Sequence, residues 1–188
     1  MRTDIAILGS GGQGVLTIGR FLAEGARAEG WEVVWLPSYG AEKRGGTVSC
    51  SVAISREKIG ALFVARPDVG VAMNHVALHR LGAAVKPCGT LLVNESAPSG
   101  HTNRDDIRLL CVPVRELAAE IGDNLVSNSI VLGALIAAIP VVSVPGIMAL
   151  MESMLARNQK YLHLNKLAFE KGHAWAQREV AASSTPPR

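Results

Sequence analysis

Charge is scarce in this sequence. Only 19% of its 188 residues are charged, whereas 48% are hydrophobic. An intrinsically disordered chain needs the opposite balance, so this composition excludes disorder over most of the length. The central parts of protein–protein interfaces are also depleted of charged residues. We therefore expect partner proteins to cover part of the surface.

Cysteines are also few. Cys50, Cys88 and Cys111 form no Cys-x-x-Cys pair, and this spacing excludes the common zinc and iron–sulfur sites within the chain. An odd number of cysteines without a recognisable signal peptide predicts reduced thiols and a cytoplasmic location. Cys111 follows two leucines and precedes a valine, so we expect it to be a buried core thiol.

The sequence has neither a strong basic excess nor a long apolar segment. Its net charge of +3 comes from 19 basic and 16 acidic residues, and these are dispersed, whereas nucleic-acid binding needs a basic stripe or patch. Pro140 and Pro145 interrupt the uncharged stretch 125–151, and its helical part is much shorter than the roughly 20 residues that span a bilayer. We expect no nucleic-acid partner and no membrane span, and we interpret the stretch as a core or interface helix.

Apolar runs and helical periodicities alternate along the chain. A buried run at 5–8, a helical pattern at 13–29 and a second strand at 32–36 predict a βαβ unit. Further strands are predicted at 47–54, 69–73, 90–93 and 108–112, and further helices at 114–121, 127–139, 145–156 and 160–179. This order predicts an α/β fold with a mostly parallel sheet and helices on both faces, in a single domain of residues 1–179. Residues 180–188 are predicted to form a disordered tail.

A glycine-rich loop, residues 9–14, joins the first strand to the first helix. Gly9, Gly11 and Gly14 match the Rossmann-like pattern G-x-G-x-x-G, in which glycines let the backbone approach a phosphate at a helix N-terminus. Classical NAD binding is disfavoured, because residues 34–38 lack the carboxylate that would hold the ribose. Two interpretations remain open: the loop binds a phosphate-bearing ligand in another way, or its glycines only allow close helix–strand packing.

A second polar loop, residues 37–46, follows the second strand. It carries a hydroxyl, a phenol, a carboxylate and a guanidinium, on Ser38, Tyr39, Glu42 and Arg44. The carboxyl ends of parallel strands share one edge of a sheet, so we expect this loop to lie beside the glycine-rich loop. An arginine there can fork onto a phosphate or onto a partner's carboxylate. A solvated turn is an equally good interpretation of these residues alone.

The remaining polar residues suggest no catalytic set. His75 and His79 are four residues apart, but no acidic residue lies between them, so they do not form the H-E-x-x-H zinc motif. The G-x-S-x-G motif of serine hydrolases does not occur. We therefore predict no catalytic residue and no metal site in this chain.

Three motifs together resemble one family. The segments 9–15 and 37–46 closely resemble the gamma subunit, or gamma domain, of 2-oxoacid:ferredoxin (acceptor) oxidoreductases, and the segment 128–135 is similar to a late helix of that family. The resemblance runs from about residue 3 to residue 178. It implies a subunit of a larger enzyme that oxidatively decarboxylates a 2-oxoacid to an acyl-CoA and is not active alone.

The resemblance also implies cofactors, partners and site residues. Thiamine diphosphate with magnesium and [4Fe–4S] clusters would be held by alpha, beta and ferredoxin-like subunits, with a further acceptor-side subunit where NAD is the acceptor. Coenzyme A would be contacted in the complex. The implied phosphate-binding residues are Gly11, Gly12, Gln13 and Gly14, and the residues implied at the crevice or subunit junction are Ser38, Tyr39, Glu42, Arg44 and Gly46.

Several alternatives stay open at this point. The 2-oxoacid could be pyruvate, 2-oxoglutarate, a branched-chain oxoacid, indolepyruvate or phenylglyoxylate, and the sequence does not choose between ferredoxin and NAD or give the stoichiometry. Arg44 could bind coenzyme A or a partner subunit. Two competing functions are a stand-alone nucleotide-binding oxidoreductase, which would need a ribose carboxylate, and a purely structural assembly subunit.

Overall fold

A computed structural model of the chain describes residues 2–40, 46–60, 64–94, 102 and 104–182. Within these residues six strands form one sheet, accompanied by six α-helices and one short 3-10 helix. The elements are β1 Arg2–Ser10, α1 Val15–Ala28, β2 Glu32–Tyr39, β3 Thr47–Ser55, β4 Val69–Ala72, α2 His75–Ala84, β5 Thr90–Asn94, β6 Arg108–Val112, α3 Val114–Ile121, the 3-10 helix Asn124–Val126, α4 Ser127–Ala138, α5 Val144–Leu155 and α6 Gln159–Ala182.

The strand order is β2-β3-β1-β4-β5-β6. Strands β1, β4, β5 and β6 are parallel neighbours, whereas β3 pairs antiparallel with both β1 and β2. The predicted α/β fold with a mostly parallel sheet is therefore confirmed. The first βαβ unit differs from expectation, because β3 lies between its two strands. Strand β3 pairs antiparallel with β2, so the chain returns along β2 and β3 takes the position next to β1.

Helices cover both faces of the sheet, as predicted. Alternate side chains of β1 enter two different cores: Ile5 and Ile7 join the larger one with α1, α4, α5 and α6, and Ala6 and Leu8 join the smaller one with α2. Helix α2 was not predicted from the sequence. Its apolar pattern is short, and the Asn74 side chain, which accepts a hydrogen bond from the N–H of Ala77, fixes its start.

Helices α4 and α6 form the tightest helix pair of the larger core. The residues 129–136 of α4 are all buried, so the uncharged stretch is a core helix here. Gly133 faces the backbone of α6 at Phe169, and Gly172 faces the backbone of α4 at Ile130. The absence of side chains at both glycines lets the two backbones come into contact. No helix in the described ranges is long and apolar enough to cross a membrane.

Two details of the sequence analysis need correction. Cys111 is only partly buried at the edge of the smaller core, whereas Cys50 is the buried thiol. The alternation of β6 explains this, because Leu110 and Val112 occupy the inward positions of the larger core. Helix α6 continues to Ala182, so the first three residues of the predicted tail are helical, and residues 183–188 lie outside the described ranges.

The α4–α6 contact predicts which glycine cannot be replaced. A Cβ at Gly172 would overlap the carbonyl oxygen of Ile130, and backbone cannot move aside as a side chain can. We expect Gly172→Ala to lower the free energy of unfolding by about 3 kcal/mol or more. Urea denaturation followed by circular dichroism measures this change.

Gly82→Ala is the matched control. Gly82 is also buried in a helix, but the nearest atom to its Cβ would be the Cβ of Thr102, 3.4 Å away, which is ordinary contact. Alanine favours a helix by about 1 kcal/mol over glycine, so Gly82→Ala should be neutral or stabilising. Equal losses of stability in both variants would refute the close-contact argument.

Candidate functional site

The glycine-rich loop leads directly into the N-terminus of α1. Gly14 is the N-cap residue, with φ 76°, and it offers no side chain to cap the helix. The first N–H groups of a helix have no acceptor within it, and the first turn of α1 contains no acidic residue. This end of α1 therefore favours a negatively charged group.

The glycines of this loop differ in the atoms that surround them. Gly12 has φ 91°, and no atom lies within 4 Å of the position of a Cβ there or at Gly11. By contrast, a Cβ on Gly14 would lie 2.6 Å from the Cβ of Asn128 in the first turn of α4. The open side of the loop is thus at Gly11 and Gly12, whereas Gly14 is needed for packing. The packing interpretation therefore applies to Gly14, whereas phosphate binding at Gly11 and Gly12 stays a prediction.

Gln13 does not present its side chain to a ligand. Its Oε1 accepts a hydrogen bond from the N–H of Ser10 at 2.7 Å, and its Nε2 donates to the carbonyl oxygen of Met73 at 2.9 Å. Asn74 Nδ2 also donates to the same Oε1 at 3.2 Å. The polar atoms of the amide are therefore engaged within the chain, and the expected phosphate contact of this side chain is not supported.

The end of the second polar loop, at Gly46, lies beside the glycine-rich loop, as predicted. The N–H of Gly11 donates to the carbonyl oxygen of Gly46 at 3.2 Å, and the N–H of Gly40 donates to that of Thr47 at 2.8 Å. This proximity arises because β3 also pairs with β1, where Ser10 lies opposite Thr47. Of the five residues predicted at this crevice, Glu42 and Arg44 lie outside the described residues.

Ser38 and Tyr39 do not converge on the glycine-rich loop. They are successive residues of the edge strand β2, so their side chains point to opposite faces of the sheet. Tyr39 is 69% exposed. Two clefts flank the glycine-rich loop, and neither Ser38 nor Tyr39 lines either of them. An exposed position on an edge strand is more compatible with a subunit junction than with a ligand pocket.

The larger of the two clefts, called here the Arg115 cleft, has a volume of about 350 Å³. It lies at the carboxyl ends of β4 and β5, between the beginnings of α1, α3 and α4. Its lining residues are Gly12, Gln13, Met73, Asn94, Val114, Arg115, Asn124 and Ser127.

The Arg115 cleft is built for negative charge. Neither Pro113, which precedes α3, nor Val126, which precedes α4, caps its helix with a side chain. The positive ends of α1, α3 and α4 meet here, although Glu116 in the first turn of α3 offsets part of that charge. Arg115 is exposed and makes no ion pair with another described residue. None of the described residues that line the cleft is acidic. The cleft can therefore bind one or more phosphate groups.

The sequence analysis missed most of this cleft. Asn94 and Arg115 follow the carboxyl ends of β5 and β6, and both strands were predicted. The rule that ligands bind at the carboxyl edge of a parallel sheet could have selected these residues, had it been applied beyond the first two strands. Asn124 comes from the 3-10 helix, whose position no sequence pattern indicates, whereas Ser127 begins α4, where a helix was predicted.

The smaller cleft, of about 120 Å³, lies on the other face of the sheet, beside α2. Its polar lining comes from Ser10, Thr47, Asn74 and Arg80. The glycine-rich loop and the side chains that hold it form the wall between the two clefts.

The described residues that line the two clefts include no histidine, cysteine, aspartate or glutamate. Burial raises the pKa of the Cys50 thiol to about 11, and Cys50 lies beneath α1. Burial also lowers the pKa of His173, which stacks on Phe169 within α6. Among the described residues, no group of three His, Cys, Asp or Glu side chains could hold a metal ion.

Comparisons with known proteins agree with one another. The family model described as pyruvate ferredoxin/flavodoxin oxidoreductase matches residues 4–175. Ketoisovalerate oxidoreductase subunit VorA of Methanothermobacter marburgensis is 34% identical over 184 residues, which cover 94% of this chain. The chain spans only 37% of the length of that relative. 2-Oxoglutarate synthase subunit KorC of the same organism is 38% identical over 151 residues, covering 77% of this chain and 81% of that subunit.

Solved structures share the fold. The gamma subunit of a keto/oxoacid ferredoxin oxidoreductase from Geobacter sulfurreducens matches with a TM-score of 0.72 and 28% identity, over 94% of this chain and 99% of that one. A 2-oxoglutarate:ferredoxin oxidoreductase from Magnetococcus marinus, with 2-oxoglutarate, coenzyme A and succinyl-CoA bound, matches with a TM-score of 0.85 and 24% identity, over 94% of this chain and 31% of that one.

The different surroundings of the loop glycines predict different effects of adding a methyl group. Gly14→Ala combines a left-handed backbone with a clash against Asn128. We expect it to lower the free energy of unfolding by about 2–4 kcal/mol. Gly11→Ala meets open space and should change stability by less than about 0.5 kcal/mol. Thermal unfolding of both variants tests this, and a stable Gly14→Ala protein would contradict the assigned packing role.

Proposed function

The chain belongs to the pyruvate ferredoxin/flavodoxin oxidoreductase family, and we propose that it is the gamma subunit of a multisubunit 2-oxoacid:ferredoxin oxidoreductase. The whole enzyme would oxidatively decarboxylate a 2-oxoacid, pass the electrons to ferredoxin and form an acyl-CoA. The role of this chain is to bind the phosphates of coenzyme A and to dock on the subunits that carry out the chemistry.

The observation that carries the proposal is the Arg115 cleft. Coenzyme A carries a diphosphate and a ribose phosphate, and the starts of three helices together with Arg115 supply positive charge for such groups. A volume of about 350 Å³ suits phosphate groups and part of the ligand rather than the whole molecule. A partner subunit would then complete the site. The related Magnetococcus enzyme has coenzyme A bound.

The proposed roles of the site residues follow from their surroundings. Gly11 and Gly12 keep the ligand side of the loop free of side chains, and Gly12 offers its backbone N–H to a phosphate. Arg115 pairs with a phosphate, and Gly14 keeps α1 and α4 close enough to form the cleft. Ser38 and Tyr39 are proposed to lie at a subunit junction, together with Glu42 and Arg44. Gly46 holds the hairpin against Gly11 through its carbonyl oxygen.

The chemistry is assigned to the partners. Thiamine diphosphate with magnesium and the [4Fe–4S] clusters would be bound by alpha, beta and ferredoxin-like subunits, and an NAD-linked enzyme would need a further acceptor-side subunit. The relatives named for ketoisovalerate and for 2-oxoglutarate have similar identities to this chain, 34% and 38%. The choice of 2-oxoacid is therefore proposed to depend on the partner subunits. A cytoplasmic location remains part of the proposal.

The competing functions have less support. A stand-alone dinucleotide enzyme would need a ribose carboxylate at the end of β2, where the exposed residues are Leu36, Ser38 and Tyr39. A purely structural subunit would leave the positive potential of the Arg115 cleft without a use. No specific observation favours either alternative.

The assignment predicts that the chain alone has no activity. Purified chain mixed with 2-oxoacids, thiamine diphosphate, coenzyme A and a viologen dye should not reduce the dye, because no group in its clefts can carry the decarboxylation. The complex purified through a tag on this chain should reduce it and should contain thiamine and iron. Turnover by the lone chain would refute the subunit assignment.

The proposed phosphate contact predicts a selective effect of Arg115→Gln. Loss of one charge-assisted hydrogen bond at an exposed site should raise the KM for coenzyme A about tenfold in the assembled complex, with kcat nearly unchanged. Arg108→Gln is the matched control, since Arg108 is an exposed arginine at the opposite end of β6. The KM for coenzyme A is measured by steady-state kinetics at saturating 2-oxoacid.

Gly12→Val provides a second test of the same site. A β-branched residue is strained at φ 91°, and its methyl groups would fill the open side of the loop. We expect weaker coenzyme A use with normal assembly, as judged by native mass spectrometry. Unchanged coenzyme A kinetics in both Arg115→Gln and Gly12→Val would show that the cleft is not the coenzyme A site.

A further inference from the structure

A ring of hydrogen bonds links the glycine-rich loop to the end of β4. Gln13 bridges the N–H of Ser10 and the carbonyl oxygen of Met73, at 2.7 and 2.9 Å. Asn74 Nδ2 donates to Ser10 Oγ at 2.9 Å and to Gln13 Oε1 at 3.2 Å. Met73 and Asn74 are adjacent in sequence, so these contacts close a ring. The ring forms the wall between the Arg115 cleft and the smaller cleft.

Asn74 has two functions in this ring. Its Oδ1 accepts a hydrogen bond from the N–H of Ala77 at 2.9 Å and so caps α2, while its Nδ2 reaches back to the loop. The position of the loop is therefore tied to the start of α2 through a single amide. Such a side chain cannot rotate freely, because each of its two ends has a fixed partner.

The absence of a side chain at Gly9 leaves room for the hydrogen-bond ring. A Cβ on Gly9 would lie 2.7 Å from Gln13 Oε1 and 2.7 Å from the Cβ of Met73. The first glycine of the motif is therefore required for the Gln13 amide to lie across the loop. This requirement is separate from close approach to a phosphate, which concerns Gly11 and Gly12.

We propose that Gln13 and Asn74 are positioning residues that hold Gly11 and Gly12 in the conformation that receives the ligand, without touching the ligand themselves. Four hydrogen bonds restrain a segment that contains two glycines and would otherwise sample many conformations. The value of this restraint for coenzyme A binding rests on the proposed function. The restraint of the loop itself does not, so the two claims can fail separately.

Gln13→Glu is the most informative variant, because it keeps the shape of the side chain. The new oxygen takes the place of Nε2 and lies against the Met73 carbonyl oxygen, so a hydrogen bond becomes a repulsion. We expect the KM for coenzyme A in the assembled complex to rise about tenfold, with kcat at saturating coenzyme A within a factor of two. Gln177→Glu, the same change at an exposed position of α6, should leave both constants unchanged.

Amide hydrogen exchange in the complex without coenzyme A separates positioning from direct contact. If Gln13 positions the loop, Gln13→Glu speeds exchange at residues 10–13 about tenfold or more before any ligand is added. If Gln13 touches the ligand, exchange in the free complex stays at the wild-type rate while the KM rises, and the proposal is overturned. Faster exchange with an unchanged KM would support the restraint and refute coenzyme A binding at this loop.

Asn74→Asp keeps the test valid should the Gln13→Glu complex fail to assemble. Aspartate still caps α2 through its oxygen but cannot donate to Ser10 and Gln13. It should speed exchange at residues 10–13 and raise the KM in the same direction. In the double variant, the two changes should raise the KM by less than the product of their separate factors, because they break one ring. Wild-type exchange and kinetics in Asn74→Asp, or fully multiplicative effects, would overturn the proposal.

Discussion

The parallel direction of β1, β4, β5 and β6 is the constraint on which the site depends. Each of these strands ends at the same edge of the sheet, so α1 and α3, which follow β1 and β6, begin there. Together with the start of α4 they border the Arg115 cleft, and the positive ends of these helices contribute to its potential. Arg115 adds its charge to the positive electrostatic potential that the helix N-termini already produce. A substitution in the sheet core would therefore affect the site more through helix placement than through direct contact.

The glycine-rich motif illustrates how one pattern can serve several physical needs. Gly9 makes room for the Gln13 amide, Gly12 adopts a backbone conformation open to the cleft, and Gly14 allows α4 to approach α1 at Asn128. In a dinucleotide-binding protein the same spacing is joined by a carboxylate after the second strand. Here that position belongs to an edge strand with an exposed tyrosine. The motif is typical of a phosphate site, and the proposed function adds that another subunit completes it.

Much of the fold follows from sequence patterns, because buried strands and amphipathic helices leave periodic signals. The strands and the later helices were predicted close to their observed positions. The antiparallel insertion of β3 was not, since hydrophobic alternation does not encode strand direction. Helix α2 was missed because only a few apolar residues mark it. Arg115 and the amide ring were missed because they depend on which loops meet in space. The Gln13 side chain was expected at the phosphates, whereas its partners are Ser10, Met73 and Asn74.

The most direct test of the account is a structure of the assembled complex with coenzyme A, determined by electron cryomicroscopy. The account predicts phosphate density in the Arg115 cleft, with a phosphate oxygen within hydrogen-bonding distance of the Arg115 guanidinium or the Gly12 N–H. It also predicts that the Gln13 amide still bridges Ser10 and Met73 and makes no contact with the ligand. Coenzyme A bound with its phosphates on another subunit, and the Arg115 cleft filled by partner side chains, would contradict it.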